Sequence, residues 1–214
     1  MPDRTFVLYL QLKTLITMRT PEQVREMIIE KSAVLFNKKG IVGTSISDII
    51  KETKVAKASL YGHFENKEAL ARATVDYLSA KIGKQTDYLI SREKTAKLKI
   101  AAFMELYKNP VNAPFIEGGC PMLNFGVDSD DTDVIIRKKV CASADTMLTT
   151  LETIISDGVA AGELLPTINP EVQALKILAV MEGAMLLSKV MDSNKKMQTL
   201  TKMVVSEIEM YEIS

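Results

Sequence analysis

Residues 44–70 read TSISDIIKETKVAKASLYGHFENKEAL, and this stretch decides the fold. Ser45 followed three residues later by Asp48 is a capping-box pattern, which predicts a short helix that ends before the tight connection Thr53–Ala56. A second short helix with apolar anchors runs from there through Tyr61. Two short helices joined by a tight turn are typical of a helix-turn-helix, whose second helix can enter the major groove of DNA.

The outer face of this second helix carries side chains that suit DNA. Lys57 can donate to O6 and N7 of guanine, Ser59 can reach a base or a phosphate, and Tyr61 can reach the backbone. Ala58 can touch a thymine methyl group. Residues 38–57 contain five lysines and two acidic residues, which gives this segment a net charge of +3. Over the whole chain, basic and acidic residues total 27 each. A chain without net charge therefore contains a basic patch.

The flanking segments also predict helices. One begins near Pro21 and stops at Gly40, and Asn66 can cap a long one. Apolar residues recur at spacings of three and four along most of the chain, and no stretch alternates with the period of two of a half-buried strand. The predicted fold class is therefore all-α. The predicted divisions are a tail, disordered or an upstream extension, over residues 1–19, a three-helix helix-turn-helix domain over 20–66 and a larger helical domain over 67–214.

The last two predicted helices each need another surface to cover them. The segment 172–191 is apolar nearly all round, and the final helix has a one-sided apolar face. A second copy of the same hairpin would complete a four-helix bundle across a twofold axis. We therefore expect a homodimer formed through about residues 170–212.

The stretch 44–70 resembles the helix-turn-helix of the tetracycline-repressor (TetR) family, and REMIIEKSAVLFNKKG at 25–40 is similar to the first helix of that family. The likeness covers roughly residues 20–72. It implies a ligand-responsive transcriptional repressor that binds double-stranded DNA and leaves a palindromic operator when a small apolar or amphipathic effector binds. Carried over to this chain, it places Lys57 and Ser59 at bases. The full set expected at DNA is Thr44, Ser45, Lys57, Ala58, Ser59, Tyr61, His63 and Lys67.

Three positions depart from the family pattern and bear on the base contacts. Thr53-Lys54 stands where the family usually has Ala-Gly, so the left-handed turn position lacks its usual glycine. Ala56 replaces a serine or threonine cap, and Gly62 replaces an aromatic residue.

The second domain resembles the family more loosely, through EGGCPMLN at 117–124 and MEGAMLL at 181–187. This likeness implies a ligand pocket between residues 95 and 190 and dimerisation by the last two helices. Most apolar side chains there are expected in the core, and a few line the pocket. The pocket candidates are Phe103, Tyr107, Cys120, Met122, Phe125, Met147, Met181 and Met185.

The two cysteines have different expected roles. Cys120 follows two glycines and precedes a proline, so we expect an accessible thiol beside the pocket that reacts faster than Cys141. Cys141 lies on a helical stripe and is expected to pack. The alternatives to a repressor are a helical enzyme or redox sensor that uses Cys120, and an all-α dimerisation scaffold. An enzyme is not favoured, because the cysteine has no second catalytic group at a recognisable spacing.

Other site classes find little support in the composition. Two distant cysteines and one histidine cannot make a four-ligand zinc site or a disulfide framework, and no cofactor is expected. Gln11 and Lys13 interrupt the apolar run 6–17, and Lys176, Glu182 and Lys189 interrupt the later one. We therefore expect no membrane association and a cytoplasmic protein.

Overall fold

The computed structural model of the protein describes residues 19–213, so almost all of the predicted tail at residues 1–19 lies outside the described residues. Within residues 19–213 the chain forms helices and one isolated antiparallel bridge, between Leu164 and Glu212, which confirms the all-α fold class. The helices are α1 Pro21–Lys39, α2 Ile46–Thr53, α3 Lys57–His63, α4 Lys67–Ser91, α5 Ala96–Glu105, α6 Pro121–Ser129, α7 Val134–Ala160, α8 Pro170–Val190 and α9 Lys195–Glu209.

Local capping signals set the starts of the first helices. The Thr20 side chain accepts the N–H of Gln23 while the Gln23 side chain accepts the N–H of Thr20, and α1 follows from Pro21. The predicted capping box of Ser45 and Asp48 is confirmed at the start of α2. The first three helices then bury a small shared core. Its fully buried side chains include Ile28, Phe36, Ile49 and Leu60.

The turn between α2 and α3 has the unusual backbone that the departures from the family pattern suggest. Lys54 adopts a left-handed conformation, with φ 59° and ψ 25°, and its N–H donates to the Ile50 carbonyl at 2.8 Å. Ala56 precedes α3 and makes no side-chain capping bond. The turn therefore keeps its geometry without the glycine that would adopt it freely.

We expect Lys54→Gly to raise the free energy of unfolding by about 0.5–1 kcal/mol, since relief of left-handed strain outweighs the added entropy of the unfolded chain. Urea denaturation measures the change. Lys51→Gly is the matched control inside α2 and should destabilise by about 1 kcal/mol. Equal destabilisation by both variants would contradict the strain argument.

α4 connects the small domain to the larger helical one. The Asn66 side chain accepts the N–H of Ala69, so the predicted cap is confirmed. α4 runs for 25 residues and packs against α1 at one end and against α5 and α7 further along. α8 and α9 pack together as the predicted hairpin, and α8 also packs on α7.

α6 was not predicted as a separate helix, because the surrounding glycines and prolines indicate a loop. Its nine residues start directly after the loop that contains Gly118 and Gly119, with Cys120 before its first turn and Pro121 at its first position. Since proline needs no N–H partner at that position, the loop signal and the helix start coincide.

Candidate nucleic-acid interface and ligand cavity

α3 presents the predicted outer face to solvent. Lys57 and Ala58 are exposed, and the Tyr61 side chain is 45% exposed. Ser59 is half-buried, whereas Leu60 and Phe64 are buried against the core. The helix is therefore anchored by one face and leaves a basic and aromatic face accessible.

Two hydroxyl groups predicted at DNA are engaged within the protein. The Thr44 side chain is fully buried and its hydroxyl donates to the Gly40 carbonyl at 2.7 Å. The Ser45 hydroxyl caps α2, accepting the N–H of Asp48 at 3.1 Å and donating to its carboxylate at 2.9 Å. In this geometry both side chains stabilise the start of the helix-turn-helix. The expectation that the Thr44 side chain contacts DNA is therefore corrected, because it is buried and its hydroxyl donates within the protein.

Lys67 has a structural role that the resemblance did not indicate. Its ammonium group donates to the carbonyls of Ile41 at 2.8 Å and Thr44 at 3.2 Å, and so holds the loop between α1 and α2. His63 is half-buried at the end of α3. The charge of Lys67 still lies beside the helix-turn-helix, but most of its hydrogen-bonding capacity is directed inward.

A cavity of about 370 Å³ lies among α4, α5, α6 and α7. This volume falls in the range of small-molecule sites. Three of the predicted pocket residues line it, namely Phe103, Met122 and Met147. The other five do not line it and are buried in the apolar core. They are Tyr107, Cys120, Phe125, Met181 and Met185.

The cavity has both apolar and polar walls: eight of its seventeen lining residues carry polar or charged side chains, which sequence reasoning missed. The Lys139 ammonium contacts the Asp76 carboxylate at 2.5 Å, and the Ser79 and Ser143 hydroxyls lie 2.8 Å apart. These pairs join α4 to α7 across more than 60 residues of chain, so local sequence patterns carry no signal for them. An apolar wall with paired polar groups suits an apolar or amphipathic molecule.

Cys120 is not the accessible thiol that its loop predicted. Its side chain is 2% exposed and lies beside Glu182 and Tyr107. Burial, and then the neighbouring Glu182 carboxyl, raise the pKa of the thiol well above its ordinary value. Burial likewise raises the pKa of Glu182, whose two carboxyl oxygens are buried beside the Cys120 thiol. A buried, protonated thiol is a poor nucleophile.

Cys141 corrects the expectation in the opposite sense, because it is exposed on α7 rather than packed. We therefore expect N-ethylmaleimide to modify Cys141 quickly in the folded protein and Cys120 only after unfolding. Mass spectrometry of protease digests, with and without urea, measures both rates. Faster modification of Cys120 in the folded protein would show that its loop opens readily.

α8 carries a stripe of exposed apolar and small side chains along one face. Val172 is 60% exposed and Val190 77% exposed, and the middle of the stripe contains the small residues Ala179 and Gly183. We call this surface the α8 stripe. It consists of Val172, Leu175, Ala179, Gly183, Leu186, Leu187 and Val190.

Among residues 19–213, no three histidine, cysteine, aspartate or glutamate side chains are grouped so that they could hold a metal ion. None of the helices in that range combines the length and apolar character needed to cross a membrane.

Comparisons with known proteins agree with the two-part architecture. Residues 28–74 match the family described as bacterial regulatory proteins, tetR family, and residues 96–204 match the tetracyclin repressor-like C-terminal domain. A TetR transcriptional regulator from Chloroflexus aurantiacus J-10-FL, known from its crystal structure, shares 33% sequence identity with this chain and has a TM-score of 0.86. The match covers 91% of this chain and 98% of that one.

Two further relatives support the same assignment. The TetR-family regulator from Cytophaga hutchinsonii is 30% identical, with a TM-score of 0.83 and coverage of 92% of this chain and 98% of that one. The HTH-type transcriptional repressor DhaR from Mycobacterium sp. (strain GP1) is 24% identical over 172 residues, which are 80% of this chain and 84% of DhaR.

Proposed function

Because the chain belongs to the TetR family of DNA-binding transcriptional regulators, we propose that it acts as a homodimeric repressor released from a palindromic operator by a small molecule. Members of this family are regulators and not enzymes, so the enzyme alternative is set aside. The observation that carries the proposal is the exposed face of α3 on a firmly anchored helix-turn-helix.

In this proposal α3 reads the major groove. Lys57 and Ser59 contact bases, Ala58 meets a thymine methyl group, and Tyr61 contacts the backbone. The donors of Ser45 and Lys67 are used within the protein, so these residues support DNA binding by positioning the helix-turn-helix and, for Lys67, by its charge. His63 lies at the end of α3, near the proposed DNA surface. The nearby lysines add affinity that does not depend on sequence.

The dimer is proposed to form through α8 and α9. Pairing the α8 stripe with its symmetry copy would cover exposed apolar side chains, and Ala179 and Gly183 would let two helix backbones approach closely. Two recognition helices related by a twofold axis require an inverted repeat. Its half-sites should lie about one helical turn, roughly 34 Å, or a simple multiple apart.

The effector is proposed to occupy the cavity bounded by α4 to α7. Its apolar wall, which includes Val75, Ile82 and Phe103, suits an apolar or amphipathic molecule. An effector that binds better to a dimer whose recognition helices are spaced differently would shift the population toward that dimer. Operator affinity would then fall.

Selection of duplexes from a random DNA library by the intact dimer tests the proposal. We expect an inverted repeat. Against the selected duplex, Lys57→Ala should reduce discrimination at one or two base pairs by about tenfold, the effect of losing one good base contact. Lys84→Ala, which removes an exposed lysine on α4, is the control and should leave the base preference unchanged. Unchanged preference in Lys57→Ala would show that this residue does not read bases.

A further inference from the structure

The cavity bounded by α4 to α7 has a group of oxygen-bearing side chains on the facing sides of α4 and α7. The Ser79 and Ser143 hydroxyls lie 2.8 Å apart, and these two residues are 64 positions apart in the chain. The ion pair between the same two helices has an offset of 63 positions, so α4 and α7 run in the same direction. The same offset about two turns later places Thr86 beside Thr150, and both residues line the cavity. We call the resulting group, Thr86, Asp87, Thr146 and Thr150, the oxygen cluster.

The hydroxyls that α7 presents to the cavity already donate their protons within α7. Thr146 donates to the Ala142 carbonyl at 2.8 Å, and Thr150 donates to the Thr146 carbonyl at 2.8 Å. Ser143 likewise donates to the Lys139 carbonyl at 3.0 Å. A hydroxyl has one proton and two lone pairs, so these three groups can still accept hydrogen bonds but have no proton left to donate.

The charges around the cavity add further acceptors. Its charged lining residues are Asp76, Asp87 and Lys139, which give a net charge of −1. The Lys139 ammonium donates to both oxygens of the Asp76 carboxylate, and this pair is neutral as a whole. Asp87 belongs to none of the ion pairs formed within residues 19–213. Its ionised carboxylate can only accept hydrogen bonds.

Thr86 is the buried member of the oxygen cluster. Its side chain is 6% exposed, lines the cavity and takes part in none of the side-chain hydrogen bonds formed within residues 19–213. Because a buried polar group is destabilising without a hydrogen-bond partner, a molecule in the cavity that bonds to Thr86 gains this interaction at a site prepared for it.

The cavity adjoins an open groove on the protein surface, and Thr146 and Thr150 line both. The charged residues of the groove are Lys99, Asp145 and Asp157, so the groove also has a net charge of −1. A molecule that approaches the cavity along this groove therefore meets a negative potential, which favours a cation.

We propose that the effector of this cavity is an amphipathic amine, whose protonated amino group binds the oxygen cluster and whose apolar part packs against Phe103, Met122 and Met147. The inference rests on the proposed function, because it names the class of molecule that regulates through the cavity. An ammonium group has three donors and a positive charge, so it can bond to acceptors on both helices at once. An alcohol can donate to only one of them, and a carboxylate would face lone pairs and the charge of Asp87.

Three probes that share one alkyl chain test the class of head group. n-Octylamine is protonated at neutral pH, 1-octanol is uncharged and octanoate is ionised. Isothermal titration calorimetry with the full-length protein measures the affinity for each. We expect n-octylamine to bind about tenfold more tightly than 1-octanol, and octanoate to bind most weakly. Failure of n-octylamine to bind, or equal binding of either other probe, would overturn the proposal.

Two variants of nearly unchanged size test where the amino group binds. Asp87→Asn removes a charge and should weaken n-octylamine binding about tenfold, while the affinity for 1-octanol is unchanged. Thr86→Val removes the buried hydroxyl and should weaken n-octylamine binding about threefold to tenfold. Asp131→Asn removes the same charge at an exposed position outside the cavity and is the control, with unchanged affinity. Full n-octylamine affinity in both Asp87→Asn and Thr86→Val would contradict binding at the oxygen cluster.

Operator binding separates this inference from the proposed function. Affinity for the selected duplex is measured with and without saturating n-octylamine, and Asp87→Asn at the same concentration corrects for action of the amine on DNA. If n-octylamine binds through the oxygen cluster but operator affinity is unchanged, the class of ligand is supported and release by a cavity ligand fails. If 1-octanol or octanoate binds more tightly and releases the operator, the proposed function is supported and the amine is the wrong class.

Discussion

Gly183→Arg is expected to yield a monomer that binds the operator about 100-fold more weakly than the parent, since juxtaposed like charges cost several kcal/mol. Gly183 lies in the middle of the α8 stripe, and a Cβ added there meets no atom within 4 Å of its own protomer. Gly183 is also exposed, so in the monomer the arginine side chain can extend into solvent. In the dimer, the twofold axis would bring the two new charges close together at the centre of an apolar contact.

Sedimentation velocity at micromolar concentration measures the change in mass, and thermal melting checks the fold. Ala160→Arg adds the same charge at an exposed position near the end of α7 and should remain dimeric. A Gly183→Arg protein that still sediments as a dimer would show that α8 does not form the interface.

Gly118→Ala is expected to lower the free energy of unfolding by about 3 kcal/mol or more, through left-handed strain together with a steric clash. Gly118 has φ +97°, and a Cβ built there would lie 2.6 Å from the main-chain oxygen of Asn37. That oxygen also accepts from Asn124, so relief of the clash breaks the bond between α1 and α6. The contact between the helix-turn-helix domain and the larger helical domain should loosen as well.

Gly162→Ala is the matched control. Gly162 has φ +73°, but an added Cβ meets no atom within 4 Å, so only the strain of about 1 kcal/mol remains. Denaturant titration measures the change in the free energy of unfolding for both variants. Hydrogen exchange of the α1 amides measures how firmly α1 is held against α6. Equal losses in the two variants would mean that the chain relaxes around Gly118 at little cost.

The parts of the fold that sequence reasoning predicted are those set by local chemistry. The caps at Ser45 and Asn66 and the left-handed turn at Lys54 each depend on residues within one or two turns. The α8–α9 hairpin follows from periodicity in the same way. The exposure of Lys57 and Tyr61 was also predictable, because the buried partners Leu60 and Phe64 fix the orientation of α3.

The predictions that failed concern residues whose environment is set by contacts between distant segments of the chain. Cys120 was expected to be accessible because glycine and proline surround it, yet Tyr107, in the turn after α5, and Glu182, on α8, lie against its buried thiol. Cys141 lies on an apparent apolar stripe, but α7 turns that part of its face to solvent. The ammonium of Lys67 is bound by carbonyls more than 20 residues earlier, and no local pattern indicates such a contact.

The hydrogen bonds that join Asn37 to Glu117, Gly119 and Asn124 limit the modularity of this regulator. Asn37 belongs to the first helix of the DNA-reading domain, but its partners lie 80 or more residues later, so the domain is incomplete when cut out at residue 66. A chimera that joins residues 19–66 to the larger domain of a relative would leave the Asn37 amide without these partners unless residues 117–128 are transferred with it. Exchange of operator specificity between relatives should therefore succeed more readily through the exposed side chains of α3 than through transfer of the whole domain.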